Sequence, residues 1–436
     1  MKQLLVPILL STLIPVTGTA AENRSLTDIH SDSTMKSEKI IYFGKGDEPS
    51  PDSSIDLIKR FYEDQFRHSQ DPLAPYFLFM SKDNTLAMGM GGCVRMRGYY
   101  DWGGALPSPG FAPYLIPMTE NPLRERYFGT TPAGTSLFFR VIGTNRKLGE
   151  YQLYIEANFN GYQARDFHLK KAYGVINDWT IGYANSTFSD PSALPPAVDA
   201  SGPNAKMSAT NVLVRWMHNF KKKHWTIAAS VETPSDQVQQ IAGETAKVEQ
   251  YVPDFAMFGQ YAWGESNHLR LAAIYRSLSY RDLIAGKNHY KPGWGVQLSG
   301  VWHPVSPVTL YGAVNSGYGY GSLGGDWLMG DYDLVADPDK KGTLYAPFCI
   351  GGYFAAQYNF THNIFASATF GATRYNPYKG AEPTEYKEGM YIAANLFWYL
   401  TPRISCAAEF NLGRRLNHDG ESRWARRVGA MVQFSF

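Results

Sequence analysis

Basic side chains recur on the polar side of alternating segments along the chain, and their placement favours anion binding. A guanidinium group binds a carboxylate or a phosphate through two parallel hydrogen bonds, and several such groups around a narrow wet passage concentrate anions there. The candidate solute-binding residues are Arg95, Arg97, Arg140, Lys170, Arg215, Arg270, Arg276, Arg415 and Arg427. Alternatively, some of them only pair with wall carboxylates and stiffen the structure. The carboxylates in question are Glu150, Glu156, Glu232 and Glu409.

Arg95, Arg97 and Arg140 carry the sharpest expectation of this set. They lie on the same face of the first two predicted strands, where neighbouring strands are about 4.8 Å apart and same-face residues about 6.8 Å apart. We therefore expect their three guanidinium groups to converge on one region of the passage. Like charges so close are costly unless carboxylates or passing anions compensate them.

The sequence offers no assembled group for catalysis or metal binding. Its ten histidines are scattered, several fall in predicted turns, and none has the spacing of metal ligands. Cys93, Cys349 and Cys406 could form at most one bridge and fit better as small apolar residues. A formal net charge of +2 argues against nucleic-acid binding. We predict a protein that is not an enzyme and has no metal, cofactor or nucleic-acid partner.

The elements that must position the basic residues are β-strands, because the chain alternates polar and apolar residues from about residue 85 to its end. Residues 150–159 and 427–436 show this period of two most clearly, each with one apolar face. The repeat contains about sixteen strand candidates, joined alternately by short turns and mostly longer, Gly/Pro-rich segments. This pattern predicts an all-β fold, a transmembrane antiparallel β-barrel of about sixteen strands with a short amino-terminal helical segment.

A sheet that spans a bilayer must close into a barrel, because lipid cannot form hydrogen bonds with the backbone groups of an unpaired edge strand. Phe434 and the terminal Phe436 lie on one face, as is typical of the last strand of such barrels. Tryptophans such as Trp179 and Trp225 lie near strand ends, where an aromatic girdle meets the headgroups. A soluble β-sandwich would also alternate, but the repeat runs on without a domain break.

The amino-terminal region precedes this repeat and divides into two parts. Residues 1–21 combine a basic start, an apolar run and small residues, so they predict a signal peptide that is cleaved on export. Residues 22–80 form a polar leader with a short amphipathic helix at 53–68, which Ser53 or Ser54 can cap. Residues 81–436 are then the barrel, and the expected location is the bacterial outer membrane.

The segment 189–206 stands out among the connections, because it is rich in proline and has little apolar surface for lipid. We expect it to fold inward as a constriction loop that contains Asp190, Asp199 and Lys206 and narrows the passage. The alternative is an ordinary external loop. The segments 103–135 and 316–344 are expected to be external and to cover the mouth of the barrel.

Several motifs resemble one known family. They are GGCVRMRGYYDW at 91–102, YIEANFNGY, FHLKKAYG, WTIGYANSTFSDPSALPPAVDASGPN, NVLVRW, YIAANLFWYL and the closing AEFNLGRRLNHDGESRWARRVGAMVQFSF. In this order they are similar to the DcaP-type trimeric outer-membrane transporters, in the form carried by Bacteroidetes. The resemblance covers the chain from about residue 70 onward and implies a sixteen-stranded trimeric porin that favours small anions, dicarboxylates in particular. Family members often start with a longer coiled-coil segment than this chain has.

Together these observations predict an outer-membrane diffusion channel for small hydrophilic solutes, with a preference for dicarboxylate-like anions. The expected partners are small anionic solutes, outer-membrane lipid and two further copies of the chain. Gly92 and Ala157 on the apolar faces of early strands favour a flat subunit interface, and Lys171, on the apolar phase of its strand, faces a neighbouring subunit or the headgroups. The alternative is a plugged structural barrel whose external loops bind a partner.

Overall fold

The computed structural model describes residues 39–45, 68, 77–160, 166–220, 224–264 and 266–436. Within this part of the chain sixteen antiparallel strands form one closed sheet. They are β1 (Leu86–Trp102), β2 (Ser136–Asn145), β3 (Gly149–Asn160), β4 (Asp166–Ile176), β5 (Trp179–Asn185), β6 (Thr210–Phe220), β7 (Trp225–Glu232), β8 (Asp254–Trp263), β9 (Asn267–Asp282), β10 (Lys287–Val305), β11 (Val308–Tyr318), β12 (Phe348–Asn359), β13 (Ile364–Asn376), β14 (Tyr386–Thr401), β15 (Ile404–Asn417) and β16 (Ser422–Ser435).

The barrel closes between its first and last strands. Pairing of β16 with β1 runs from Arg426 opposite Trp102 to Ser435 opposite Cys93. The last residue continues this pairing, because the Phe436 N–H donates to the Gly92 carbonyl oxygen at 3.0 Å and the Gly92 N–H donates to that of Phe436 at 2.9 Å. The predicted fold class, a closed antiparallel barrel of sixteen strands, is confirmed.

The predicted alternation of faces is also present. On β3, Leu153 and Ile155 point outward and are about half exposed, whereas Tyr154 and Glu156 between them are buried inside the barrel. The period-two pattern therefore separates an apolar outer surface from a polar interior. Aromatic residues end this surface near the short turns: among them, Trp179, Trp225, Trp302 and Trp398 are exposed.

Two short strands extend the sheet where the barrel closes. The strand Phe77–Ser81 pairs antiparallel with the start of β1, beyond the last residues of β1 that pair with β16. The strand Lys39–Phe43 pairs in parallel with Phe77–Ser81. Leu78 and Met80 are fully buried there against Ile142 on β2. The expected signal peptide at 1–21 lies outside the described residues, and so does the expected helix at 53–68 apart from His68.

Gly92 is small for a reason internal to the barrel. A Cβ atom at this position would overlap the Ser136 carbonyl oxygen of β2, so the close approach of the two backbones already requires glycine. The small size of Gly92 therefore supports a subunit interface less than the sequence pattern indicates.

Three long segments turn into the barrel at the end opposite the short turns. Residues 103–125 bury Phe111 against Tyr391, and residues 319–347 bury Trp327 against Tyr320. The third is 186–209. Within the connections lie the strands Arg126–Thr131, Thr245–Lys247, Val335–Ala336 and Leu344–Tyr345, and the 3-10 helices Pro113–Leu115, Pro122–Arg124, Pro191–Ala193, Gly321–Leu323 and Asp326–Met329.

The described residues contain no helix with the length and apolar character needed to cross a bilayer.

Candidate functional site

The segment 186–209 leaves β5 and runs along the inner wall of the barrel before it enters β6. Its first turn is held by β7, since the Thr187 N–H donates to Glu232 Oε1 at 2.8 Å. Its later part is held by Asn204, whose side-chain amide donates to Asp326 Oδ2 at 3.2 Å and to the Gly389 carbonyl at 3.1 Å. The segment therefore contacts β7 at its start and both β14 and the segment 319–347 near its end.

Asp190 anchors the beginning of this segment. Its Oδ2 atom lies 2.9 Å from His268 Nε2 and accepts a hydrogen bond from Ser299 at 2.6 Å, while Arg270 Nη1 is 3.6 Å from Oδ1. Arg270 also donates to the Ser189 carbonyl at 3.0 Å. Burial on its own would raise the pKa of Asp190, but Arg270 and His268 outweigh it and hold the pKa well below its usual range.

Glu409 of β15 fixes the tip of the segment. Its carboxylate accepts from the Val198 N–H at 2.8 Å and from the Asp199 N–H at 2.9 Å. Arg97 of β1 donates to the Val198 carbonyl at 3.1 Å, so the tip is held from both sides of the closure. Asp199 in turn accepts from the Phe111 N–H at 2.7 Å and joins this tip to the segment 103–125.

A β-bulge decides where two lysines point. Glu156 pairs with Lys171 but the next residue, Ala157, pairs with Leu169, so Lys170 is an extra residue in β4. A bulge re-aims side chains, and both lysines reach the buried Glu156 carboxylate, at 2.6 Å for Lys170 and 3.7 Å for Lys171. The expected outward position of Lys171 is wrong, because the alternation is reset one residue before it.

Between the segment 186–209 and the early strands lies a cavity of about 380 Å³. Its charged lining residues among Lys, Arg, Asp and Glu are Arg95, Arg97, Lys170, Lys171, Lys206 and Asp199. Five of these six are basic. Opposite charges attract by about 4 kcal/mol at 4 Å in such partly wet surroundings, and the Glu156 carboxylate compensates part of the charge of Lys170 and Lys171.

The basic residues of the cavity are held by neutral partners as well as by acids. Arg95 Nε donates to Gln433 Oε1 at 2.8 Å, and Lys206 Nζ donates to the Ala200 carbonyl at 3.0 Å. Burial lowers the pKa of Lys206; Asp199 opposes this shift and Arg97 adds to it. His68, a residue of the leader, also lines the cavity.

Four other predicted residues hold the inward segments instead of lining this cavity. Arg427 forms two hydrogen bonds to Asp101, at 2.6 and 2.9 Å, and donates to the Ser108 and Pro109 carbonyls. Arg415 donates to the Tyr114 carbonyl at 2.7 Å. These contacts fasten the segment 103–125 to β15 and β16.

Arg276 and Arg270 perform the same role on β9. Arg276 is fully buried, 3.0 Å from both Asp254 and Asp333, and it also donates to the Ser235 carbonyl. Asp333 belongs to the segment 319–347, so this guanidinium group fastens that segment to the wall. Arg270, described above, fastens the segment 186–209.

Arg140 and Arg215 lie on the inner wall and are not among the residues that line the cavity. Arg140 Nη2 donates to Gln152 at 3.0 Å, and Arg215 Nη1 donates to the Asn185 carbonyl at 3.2 Å. Arg140 is opposite Gly89, six residues before Arg95 on β1 and thus about 20 Å from it along the strand. The expected convergence of Arg95, Arg97 and Arg140 is therefore wrong, because β2 pairs only with the first half of β1.

Among the described residues no group of three or more His, Cys, Asp and Glu side chains could hold a metal ion. The three cysteines are free. Lys171 is the residue of the cavity that sequence reasoning misplaced. The sequence did contain a sign of the bulge, since two adjacent lysines in an alternating strand cannot both lie on the polar face unless a bulge intervenes.

No protein-family model matches the chain, and no curated protein matches it in sequence. Solved structures do match. The outer-membrane channel DcaP of Acinetobacter baumannii superposes with a TM-score of 0.69 at 17% identity, covering 82% of this chain and 99% of that one. An anion-selective porin from Comamonas acidovorans superposes with a TM-score of 0.52 at 11% identity, covering 80% and 100%.

The trimer form of OmpT, an outer-membrane protein of Vibrio cholerae, superposes with a TM-score of 0.50 at 8% identity, covering 81% of this chain and 100% of that one. The fold is that of outer-membrane porins. Within this fold the segment 186–209 follows the inner wall and lies beside the basic cavity.

Proposed function

We propose that this protein is an outer-membrane diffusion channel for small hydrophilic solutes, with a preference for dicarboxylate-like anions. The observation that carries the proposal is the cavity of about 380 Å³ between the segment 186–209 and the wall, in which five of six charged lining side chains are basic. The porin fold supports the channel, and the similarity to a porin described as anion-selective supports the sign of the preference.

Ion selectivity tests this proposal. Arg95→Gln with Lys206→Gln removes two positive charges from the cavity, and neither residue is among the buried anchors of the inward segments. The reversal potential of the reconstituted channel in a salt gradient should shift toward cations, and dicarboxylate uptake should slow. Arg281→Gln with Lys287→Gln, at the mouth-side ends of β9 and β10, is the matched control and should leave the reversal potential unchanged. Equal selectivity of all three proteins would contradict an anion-selective cavity at this place.

We further propose that the chain belongs to the DcaP-type family, in its Bacteroidetes form, and assembles as a homotrimer. The sequence motifs and the superposition on DcaP support the family, and the trimer form of the similar OmpT supports the assembly. Mass measurement in mild detergent should give three chains. A mass of one chain alone would rule out this assembly.

A plugged barrel is the second candidate, and one observation favours it: His68 of the leader lines the basic cavity. If the leader blocks the passage, deletion of residues 22–76 should raise the single-channel conductance several-fold. Unchanged conductance after the deletion would leave the open channel as the better description.

A further inference from the structure

The outer face of the barrel carries a groove of about 450 Å³ between β11 and β15, near the ends of these strands that lie beside the inward segments. Its floor contains Gly352 of β12 and Ala372 of β13, which are paired with each other and have little or no side chain. Larger apolar side chains flank this floor. They are Val314, Ile350, Met390 and Leu416. The result is an apolar slot on the surface that faces lipid in the proposed membrane setting.

Two arginines lie along the same groove. Arg374 is half exposed, with its Nη1 atom 3.3 Å from Glu388 Oε1. Arg414 is opposite Met390 in the pairing of β14 with β15, and its Nε atom is buried with no hydrogen-bond partner among the described residues. With one carboxylate against two guanidinium groups, the groove has a net positive charge. A third outward arginine, Arg426, is exposed on the neighbouring strand β16.

We propose that this groove binds a phosphorylated lipid of the outer leaflet, with an acyl chain in the apolar slot and a phosphate on Arg374 and Arg414. The inference rests on the outer-membrane location proposed above. A guanidinium group matches a phosphate through paired hydrogen bonds. Arginine on the lipid face of a barrel is destabilising unless it lies near the headgroups, and a lipid phosphate at that level compensates the charge.

A second copy of the chain fits this groove less well. Gathering Arg374 and Arg414 into a dry contact between subunits would bury two cations with a single partner, Glu388, and buried charge without compensation is costly. The groove also lies on the late strands β11 to β15, whereas the sequence pattern that favours a subunit interface includes Ala157 on β3. Charge and position therefore both favour the lipid.

The test is a titration of the delipidated full-length protein in detergent with diphosphoryl lipid A, followed by native mass spectrometry. Arg374→Gln with Arg414→Gln should weaken binding roughly tenfold or more, as expected for the loss of two cations at a lipid headgroup. Ala372→Leu, which fills the slot but keeps both arginines, should weaken binding as well. Arg281→Gln with Lys287→Gln, two residues that do not line the groove, is the matched control and should bind like the unmodified protein.

Equal affinity of the double arginine variant and the control would overturn the inference, and so would equal affinity for a lipid A that lacks both phosphates. If Ala372→Leu instead lowers the number of chains in the assembly, the groove is a subunit interface and the lipid assignment fails. The proposed function is tested separately by conductance. A protein that binds the lipid selectively but conducts no ions would contradict the channel and leave this site intact.

Discussion

At the scale of single residues, the interior contains two kinds of basic side chain. Arg270, Arg276 and Arg427 are buried against carboxylates and carbonyls and hold the inward segments. Arg95 and Lys206 line the cavity and remain partly accessible. A charge of the first kind stabilises the structure only while its partners remain, whereas a charge of the second kind is available to a solute.

Arg427→Gln tests the first kind. The change leaves the fully buried Asp101 without its bidentate partner, and removal of one member of a buried pair costs about 3–5 kcal/mol. We expect a lower unfolding temperature and a larger conductance, because the segment 103–125 loses its fastening. The outward Arg281→Gln is the control for the loss of an arginine as such. Identical melting curves for the two variants would show that the Arg427–Asp101 pair stabilises nothing.

Lys206→Arg tests the second kind through pH. Burial lowers the pKa of Lys206, so its charge is lost at a lower pH than that of an ordinary lysine. The anion preference should therefore decline as the pH rises through this lowered pKa. Arginine keeps its charge at that pH, so the variant should retain its selectivity. The measurement is the reversal potential between pH 7 and pH 10 in both proteins, and parallel curves would contradict the role of Lys206.

At the scale of elements, the segment 186–209 is positioned by polar anchors as well as by buried apolar side chains such as Phe188. Asp190, Val198 and Asn204 each bond to a different part of the wall. Because these anchors are spread along the segment, loss of one should loosen only the part beside it.

Asp190→Ala should release the beginning of this segment. The buried Arg270 and His268 would lose their carboxylate partner, so we expect a larger, less selective conductance and a decrease in stability of about 3–5 kcal/mol. Ser192→Ala, which removes a hydroxyl that bonds to the same carboxylate, is the milder comparison. A conductance equal to that of the unmodified protein would mean that the segment does not limit the passage.

Asp326 is a buried carboxyl that links two inward segments through Asn204. It accepts hydrogen bonds from Tyr386 at 2.8 Å and from Asn204 at 3.2 Å, and burial raises its pKa to about 6 although these bonds oppose the shift. A carboxyl whose pKa is higher in the folded state favours folding in its protonated form. This contribution is complete below about pH 4 and is lost as the pH rises through about 6.

Asp326→Asn should therefore remove one pH-dependent contribution to stability. We expect the difference in melting temperature between the variant and the unmodified protein to grow in favour of the variant from pH 4 to pH 7. Thermal unfolding in detergent at several pH values measures this difference. A difference that stays constant with pH would show that the carboxyl does not titrate in this range.

At the scale of the whole molecule, the barrel is one closed hydrogen-bonded surface whose last residue completes it. Deletion of Phe436 removes two backbone hydrogen bonds to Gly92, for which we expect a loss of about 1–3 kcal/mol. Heat-dependent gel mobility should show a lower conversion temperature, and Phe436→Leu, which keeps the backbone bonds, should lose less. Equal losses in both variants would assign the effect to the aromatic side chain instead.

The sequence alone determined the strands, their faces and the closed barrel. The reason is that a barrel with an apolar outer face and a polar interior requires a period of two on every strand, so the types of residues such as Leu153 and Glu156 already indicate which side of the wall they face. The same pattern placed Arg95, Arg97 and Lys170 on the inner face, where the structure has them lining the cavity.

Only the tertiary structure decided which inner residues meet. Arg140 is far from Arg95 because the register of β2 on β1 depends on loop geometry, which the local pattern does not contain. Lys171 turns inward because of a bulge that interrupts the alternation. Some basic residues, such as Arg427, anchor inward segments, whereas others, such as Lys206, line the cavity. Which role a residue has depends on contacts between segments that are distant in sequence. Such contacts depend on three-dimensional packing, and the alternation of polar and apolar residues along a strand contains no information about that packing.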